Sequence, residues 1–193
     1  GTPSGSSPLG AAGVTDLFLT AGLTPGARYH WRAWVNDALG AQSPFVVYGF
    51  PFFENTTTDF YMDRAPNNPD PNAGGSAAGQ FEADGLTVIP ENADANSGTI
   101  VFKSTILDPD GTLNTVTFEI EAIQTITAFS GTPTATSGVL SGAGPFNAQI
   151  TQVFSGPALG QTHHWRARVK DNEGVVSAWI SFGVAADGNK DFT

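Results

Sequence analysis

Apolar and polar residues alternate along several short stretches of the chain, and this alternation predicts β-strands. In "TVTFEIEAI", which begins at Thr115, the apolar residues fall on one face: Val116, Phe118, Ile120 and Ala122. The residues on the other face are Thr117, Glu119 and Glu121. Successive side chains of a strand point to opposite faces of a sheet, so this stretch predicts a strand with one buried face.

A second stretch, "GTIVFKSTIL", shows the same alternation less cleanly. Its apolar set is Ile100, Phe102 and Ile106, and its polar set is Lys103 and Thr105. Gly, Pro, Asn and Asp separate such stretches, and helical periodicity is hard to find. The pattern predicts an all-β protein of short strands.

The chain contains an internal repeat. "YHWRAWVNDALG", from Tyr29, returns as "HHWRARVKDNEG" from His163, and "GTPSGSSPLGAAG", from Gly1, returns as "GTPTATSGVLSGAG" from Gly131. "TTDFY" and "NKDFT" close the two copies. Residues 1–61 therefore repeat residues 131–193, whereas residues 80–130 have no counterpart.

The repeat predicts three parts: half a domain over residues 1–61, a linker over 62–79 and a whole domain over 80–193. The linker prediction rests on the density of Pro and Gly in "DRAPNNPDPNAGGSAAG". The front half offers about three strands, at 14–20, 28–36 and 45–50, too few to close a sandwich. Either a longer array or another chain supplies the missing strands.

The repeated stretch resembles strands F and G of bacterial fibronectin type III-like domains. The residues that carry the resemblance in the first copy are Leu23, Pro25, Gly26, Tyr29, Trp31, Arg32, Asp37 and Gly40. In the second copy they are Gly160, His163, Trp165, Arg166, Asp171, Gly174, Ser177 and Trp179. The resemblance implies tandem immunoglobulin-like β-sandwiches, the first incomplete, and a tyrosine corner that has Tyr29 in one copy and His163 in the other.

Strand geometry divides the second copy into two faces. His163, Trp165, Ala167 and Val169 would face the core, whereas His164, Arg166, Arg168 and Lys170 would face solvent. The two histidines then point apart and cannot bind one metal together. A basic face could bind nucleic acid, but the net charge of −10 argues against it. In the family, strand C lies beside strand F, so Glu119 and Glu121 would neutralise the arginines.

"DPDG" is a candidate calcium site through Asp108 and Asp110. Two carboxylates on a turn suit a hard cation, and similar turns bind calcium in cadherin-like domains. The alternative is a plain β-turn, in which Pro and Gly occupy the usual positions. No other cofactor is predicted.

Aromatic residues form a candidate interaction surface near the end of the first half. They are Trp34, Phe50, Phe52, Phe53, Phe60 and Tyr61. An outward Trp suits either a contact with a neighbouring domain or subunit or a platform for glycan. The chain has no cysteine and no GxSxG or HExxH motif, so the sequence predicts no enzyme.

The sequence thus predicts a structural or adhesive module of a bacterial cell surface or extracellular fibre. Its partners would be neighbouring copies or further repeats, and strand complementation between copies is one way to join them. The alternative is a carbohydrate-binding accessory module of a secreted polysaccharide-acting enzyme. No apolar run reaches the roughly 20 residues that span a bilayer, and neither nucleic acid nor a membrane span is predicted.

Overall fold

The structure is a computed structural model that describes residues 22–47, 60–110, 115–142, 144–183 and 190–193. Within these residues every regular element is a β-strand, apart from one short 3-10 turn at Gly156–Ala158. The all-β class predicted from the alternation is therefore confirmed. The chain divides into two compact units, Gly1–Asp63 and Arg64–Thr193.

The first unit contains four short strands in its described part. They are β1 (Arg28–Tyr29), β2 (Arg32–Ala33), β3 (Val46–Val47) and β4 (Phe60–Tyr61). β1 pairs with β4, and β2 pairs with β3, both antiparallel. Of the three predicted strands, 28–36 is present as two shorter pieces and 45–50 in part, whereas 14–20 lies outside the described residues.

The second unit contains the longer strands. They are β5 (Gly79–Phe81), β6 (Thr99–Ile106), β7 (Thr115–Gln124), β8 (Ala135–Thr136), β9 (Leu140–Ser141), β10 (Phe146–Val153), β11 (His163–Asp171) and β12 (Ile180–Ser181). One sheet has the order β10-β6-β5. The other has the order β12-β11-β7-β8, with β9 also paired to β7.

One cluster of buried apolar side chains draws on both sheets of the second unit. The sheet of β6 and β10 contributes Ile100, Phe102, Ile106, Ala148 and Ile150. The sheet of β7 and β11 contributes Val116, Phe118, Ile120, Ala122, Trp165, Ala167 and Val169. The faces predicted for these strands are confirmed, and the shared core is compatible with a β-sandwich.

The Pro-rich segment after Asp63 packs on the second unit. Pro66, Pro69 and Pro71 are buried. The Asn67 N–H donates to the carbonyl of Leu107, 2.9 Å away, just beyond the end of β6. Asn72 bonds the backbone near β12, through Ser181 and Gly183. The second unit thus begins at Arg64 and includes most of the segment that the sequence predicts as a linker.

The two repeated stretches adopt the same hairpin register. In the first unit Arg32 is opposite Val47 and Ala33 is opposite Val46. In the second unit the corresponding pairs are Arg166 with Ser181 and Ala167 with Ile180. We call residues 28–47 the first hairpin and residues 162–181 the second hairpin.

Short-range hydrogen bonds hold both hairpins in the same way. Asp37 Oδ1 accepts the N–H of Ala41 at 2.8 Å, and Asp171 Oδ1 accepts the N–H of Val175 at 2.8 Å. A serine hydroxyl also accepts a backbone N–H across each hairpin, from Val35 to Ser43 and from Val169 to Ser177, both at 2.9 Å. These bonds join residues at most eight positions apart, so each hairpin can set its strand register through local contacts.

Candidate functional site

Charged side chains pair across β7 and β11 in the second unit. The register places Arg166 opposite Glu121 and Arg168 opposite Glu119. Arg166 Nη2 lies 2.8 Å from Glu121 Oε2, and Arg168 Nε lies 2.6 Å from Glu119 Oε2. The pairing predicted between these glutamates and arginines is therefore present, and it neutralises the basic face on which a nucleic-acid patch would depend.

Aromatic side chains partly cover this charged face. The Arg166 guanidinium lies 4.3 Å from the ring centroid of Phe129 and 4.8 Å from that of Trp179. Trp179 also covers Arg168 at 4.5 Å. The prediction that this face looks into solvent is confirmed for Lys170, which is exposed, whereas Arg166 and Arg168 are half-buried because aromatic side chains from two other segments lie over them. Arg166 lies against two rings and Arg168 against one, so both gain cation–π contacts in addition to their ion pairs.

We call Glu119, Glu121, Arg166 and Arg168 the charged ladder. Glu121 is its most enclosed member, with 1% of its surface exposed. Burial would raise the pKa of its carboxyl, but hydrogen bonds from Arg166, Ser130 and Gly131 outweigh burial. The net result is a pKa below the ordinary value of 4.5. A carboxylate held charged and fully bonded is suited to fixing strands, not to accepting a proton from a substrate.

The two adjacent histidines occupy different surroundings, as strand geometry predicts. His163 lies on the core side of β11 and stacks on Phe192, with ring centroids 5.2 Å apart. Burial lowers the pKa of His163, and its Nδ1 lies 2.9 Å from the carbonyl oxygen of Gln161, so Nδ1–H can donate. His164 stacks on Phe129 at 4.1 Å and is also buried, so its predicted solvent position was wrong. His30, the counterpart of His164 in the first copy, is exposed.

The tyrosine-corner position differs between the copies. In the first unit the Tyr29 hydroxyl accepts the N–H of Thr24 at 2.5 Å. Tyr29 stacks on Phe60 with centroids 5.4 Å apart, much as His163 stacks on Phe192. Both residues therefore link the hairpin to the closing segment of their copy.

Asp108 and Asp110 lie in the turn that follows β6. Asp108 Oδ1 accepts the N–H of Asp110 at 2.9 Å, and Asp110 Oδ2 accepts the N–H of Arg64 at 2.6 Å. These bonds are those of a side-chain-capped turn. Calcium at this turn stays a prediction, which calorimetric titration in calcium-free buffer would test.

The predicted aromatic surface is described in part. Trp34 is half-buried and meets Phe45 edge-on, with centroids 4.9 Å apart. Phe60 and Tyr61 are exposed on β4. The remaining members, Phe50, Phe52 and Phe53, lie outside the described residues.

The sequence predicts that the incomplete first half leaves an apolar face exposed, but it missed which residues of the first hairpin form that face. Trp31 is 47% exposed and Val35 is 72% exposed, whereas their counterparts Trp165 and Val169 are each 0% exposed. We call the side of the first hairpin that carries Tyr29, Trp31, Ala33 and Val35 the open face. The comparison of the two copies could have identified it, because the repeat already assigns these positions to a core.

A second feature was missed because it depends on the fold. Asp191 is 3% exposed, and its Oδ2 accepts the N–H of Trp165 at 2.8 Å. Burial raises the pKa of Asp191 to about 7, the Trp165 N–H opposes that rise, and the charge of Glu91 adds to it. The two carboxyls converge on Gly183: a Cβ there would lie 2.6 Å from Glu91 Oε1 and 3.4 Å from Asp191 Oδ1.

No family model, curated protein or solved structure that was compared matches the chain. In the described part of the chain, no helix is long and apolar enough to cross a membrane.

Proposed function

We propose that this chain is a structural module of a bacterial cell surface or extracellular fibre, built from tandem fibronectin type III-like sandwiches. The observation that carries the proposal is the recurrence of one hairpin, with the same register and the same Asp and Ser hydrogen bonds, in two separate compact units. Modules of this kind act by presenting rigid β-structure in series, and strand complementation would join them.

The packing of the second unit supports the proposed structural role. Its strands β7 and β11 pair over nine residue positions, from His163 with Gln124 to Asp171 with Val116. Ion pairs and aromatic stacking stabilise one face of the β7–β11 strand pair, and the apolar core packs against the other face. Both faces of the central strands are therefore fixed by side-chain contacts.

Electron microscopy of the purified chain over a range of concentrations tests the proposal. We expect particles joined end to end, because among the described residues β2 pairs with β3 alone and the Val35 side chain is 72% exposed. A chain that stays single at every concentration would count against an assembling module.

The second candidate is a carbohydrate-binding accessory module. It is favoured by the exposed aromatic side chains of the first unit, Trp31, Phe60 and Tyr61, together with half-buried Trp34. Retention of the chain on polysaccharide, lost in Trp34→Ala and kept in Trp179→Ala, would support this function over the first. Equal retention of both variants would argue against a platform at Trp34.

A further inference from the structure

A cavity of the second unit has two carboxyl groups at one corner. Its volume is about 430 Å³, and the residues that line it include Asn72, Ala78, Val88, Glu91, Phe182 and Gly183. Asp191 lies beside Gly183: its Oδ1 would be 3.4 Å from a Cβ at that glycine, and Glu91 Oε1 would be 2.6 Å from the same atom. The two carboxyls therefore converge where Gly183 borders the cavity, which we call the carboxyl cavity.

Asp191 has one carboxylate oxygen without a partner among the described residues. The residue is 3% exposed, and its Oδ2 accepts the backbone N–H of Trp165 at 2.8 Å, whereas Oδ1 accepts no hydrogen bond from them. No described basic side chain forms an ion pair with Asp191 or Glu91, because neighbouring Lys190 pairs with Asp94 at 2.8 Å. Asp191 thus directs a buried, unpartnered oxygen toward Gly183, at the border of the cavity.

The fold does not require a charged group at position 191. An Asn there would accept the same N–H of Trp165 without the cost of burying a charge. Burial and the charge of Glu91 raise the pKa of Asp191 to about 7, so part of the molecules keep this proton at neutral pH. A buried carboxyl with a second carboxyl and a cavity beside it is typical of a functional site.

Two side-chain amides fix the surroundings of the carboxyl pair. Gln80 is 0% exposed: its Oε1 accepts the indole N–H of Trp165 at 3.0 Å, and its Nε2 donates to the carbonyl of Asp191 at 2.7 Å. Asn72 Oδ1 accepts the backbone N–H of Gly183 at 2.8 Å. Both amides are already bonded to protein groups, so the carboxyls are the groups left to bind a ligand.

The composition of the cavity wall favours an organic cation over a metal ion. Calcium takes six to eight oxygens, whereas the described side chains offer the oxygens of two carboxyls. A primary ammonium has three N–H donors on a compact charge, which suits two acceptors that converge from different residues. Ala78, Val88 and Phe182 line the same cavity and provide apolar surface for the carbon chain that carries the ammonium.

We propose that the carboxyl cavity binds a primary ammonium group on an unbranched apolar chain, with Glu91 and Asp191 as its charged partners. The ammonium takes the place of the proton that Asp191 otherwise holds. A lysine side chain of another protein and a free alkylamine both carry this group. The site goes beyond the proposed structural function and does not depend on it.

The test is a titration of the full chain with n-butylammonium chloride at pH 8 and constant ionic strength, followed through the NMR amide signals of Glu91 and Gly183. Butan-1-ol is the matched probe, because it has the same carbon chain and no charge. We expect saturable shifts with a Kd of about 1 mM for the ammonium. Binding of the alcohol should be at least tenfold weaker.

Two variants remove the charges and keep the shapes of the side chains. Glu91→Gln and Asp191→Asn should each weaken the binding of butylammonium at least tenfold. Asp191→Asn retains the acceptor for the Trp165 N–H, so it leaves the fold in place. Glu173→Gln is the matched control, since it removes an exposed acid elsewhere on the second unit and should change the Kd less than twofold.

A second probe distinguishes the two sources of the ammonium. A site for a protein lysine binds both butylammonium and Nα-acetyl-lysine methylamide, whereas a site for a free amine binds butylammonium alone. Four results would overturn the inference: no saturable shift, equal affinity for butylammonium and butan-1-ol, unchanged affinity in both carboxyl variants, or calcium chloride that shifts the same amides and displaces butylammonium.

Discussion

Replacing Asp191 with Asn should change how the stability of the second unit depends on pH. The Asp191 carboxyl accepts the backbone N–H of Trp165, and both it and the Glu91 carboxyl lie close to Gly183. Burial raises the pKa of Asp191 from an ordinary 3.8 to about 7. The folded protein thus binds this proton more tightly than the unfolded chain does. The free energy of unfolding should therefore fall as the pH rises from about 4 to about 7.

The size of the effect follows from the shift. Each unit of pKa difference corresponds to about 1.4 kcal/mol, so two pH units between 5 and 7 correspond to about 2.7 kcal/mol. His163 acts in the opposite direction, because its pKa is lowered in the folded state, so that stability is lost as the pH falls below its ordinary 6.5. The difference between wild type and Asp191→Asn cancels the histidine contribution.

Urea denaturation at pH 5, 6, 7 and 8, followed through the NMR amide signals of β11, isolates the second unit. Asn keeps an acceptor for the Trp165 N–H but cannot ionise. We expect the variant to gain about 2–3 kcal/mol over wild type between pH 5 and pH 8. Asp94→Asn is the matched control: the pKa of Asp94 is lowered by its hydrogen bond with Lys190, so that variant should add no slope in this range. A flat difference for Asp191→Asn would refute the assignment, and a falling one would reverse its sign.

Two further substitutions test the packing of the second unit. Glu121→Gln removes the charged partner of half-buried Arg166, so we expect the free energy of unfolding to fall by about 3 kcal/mol in urea denaturation. A loss below about 1 kcal/mol would contradict the structural role of the charged ladder. Gly98→Ala would place a Cβ 2.4 Å from the carbonyl oxygen of Phe154 and should cost about 1–3 kcal/mol in the same assay. Gly138→Ala meets nothing within 4 Å and should be near neutral, and equal losses in both glycine variants would contradict the crowding at Gly98.

The strand faces of β6, β7 and β11 could be predicted because each is a local property of alternation. The same alternation predicts that Glu119 and Glu121 meet Arg168 and Arg166, once the two strands are assigned as neighbours. Burial of that charged face could not be predicted in this way. It depends on Phe129 and Trp179, which reach the ladder from segments that alternation does not connect to it.

The properties of two other regions also depend on tertiary contacts. A density of Pro and Gly is compatible with a free linker and with a segment docked on a sheet, and composition cannot distinguish them. The bonds of Asn67 and Asn72 place this segment on the second unit. The raised pKa of Asp191 likewise depends on tertiary contacts. It arises because the fold buries this carboxyl and brings it near Glu91, Trp165 and Gly183, which are distant in the sequence.

Comparison of the two hairpins distinguishes the local hydrogen bonds that form a strand pair from the tertiary contacts that bury its apolar face. Asp37 and Ser43 hold the first hairpin through bonds within about eight residues, as Asp171 and Ser177 hold the second. These local bonds are present whether or not the apolar face is covered. Part of the ordering entropy of the first hairpin is therefore removed by its own local bonds, and this preorganisation lowers the cost of burying its apolar side chains.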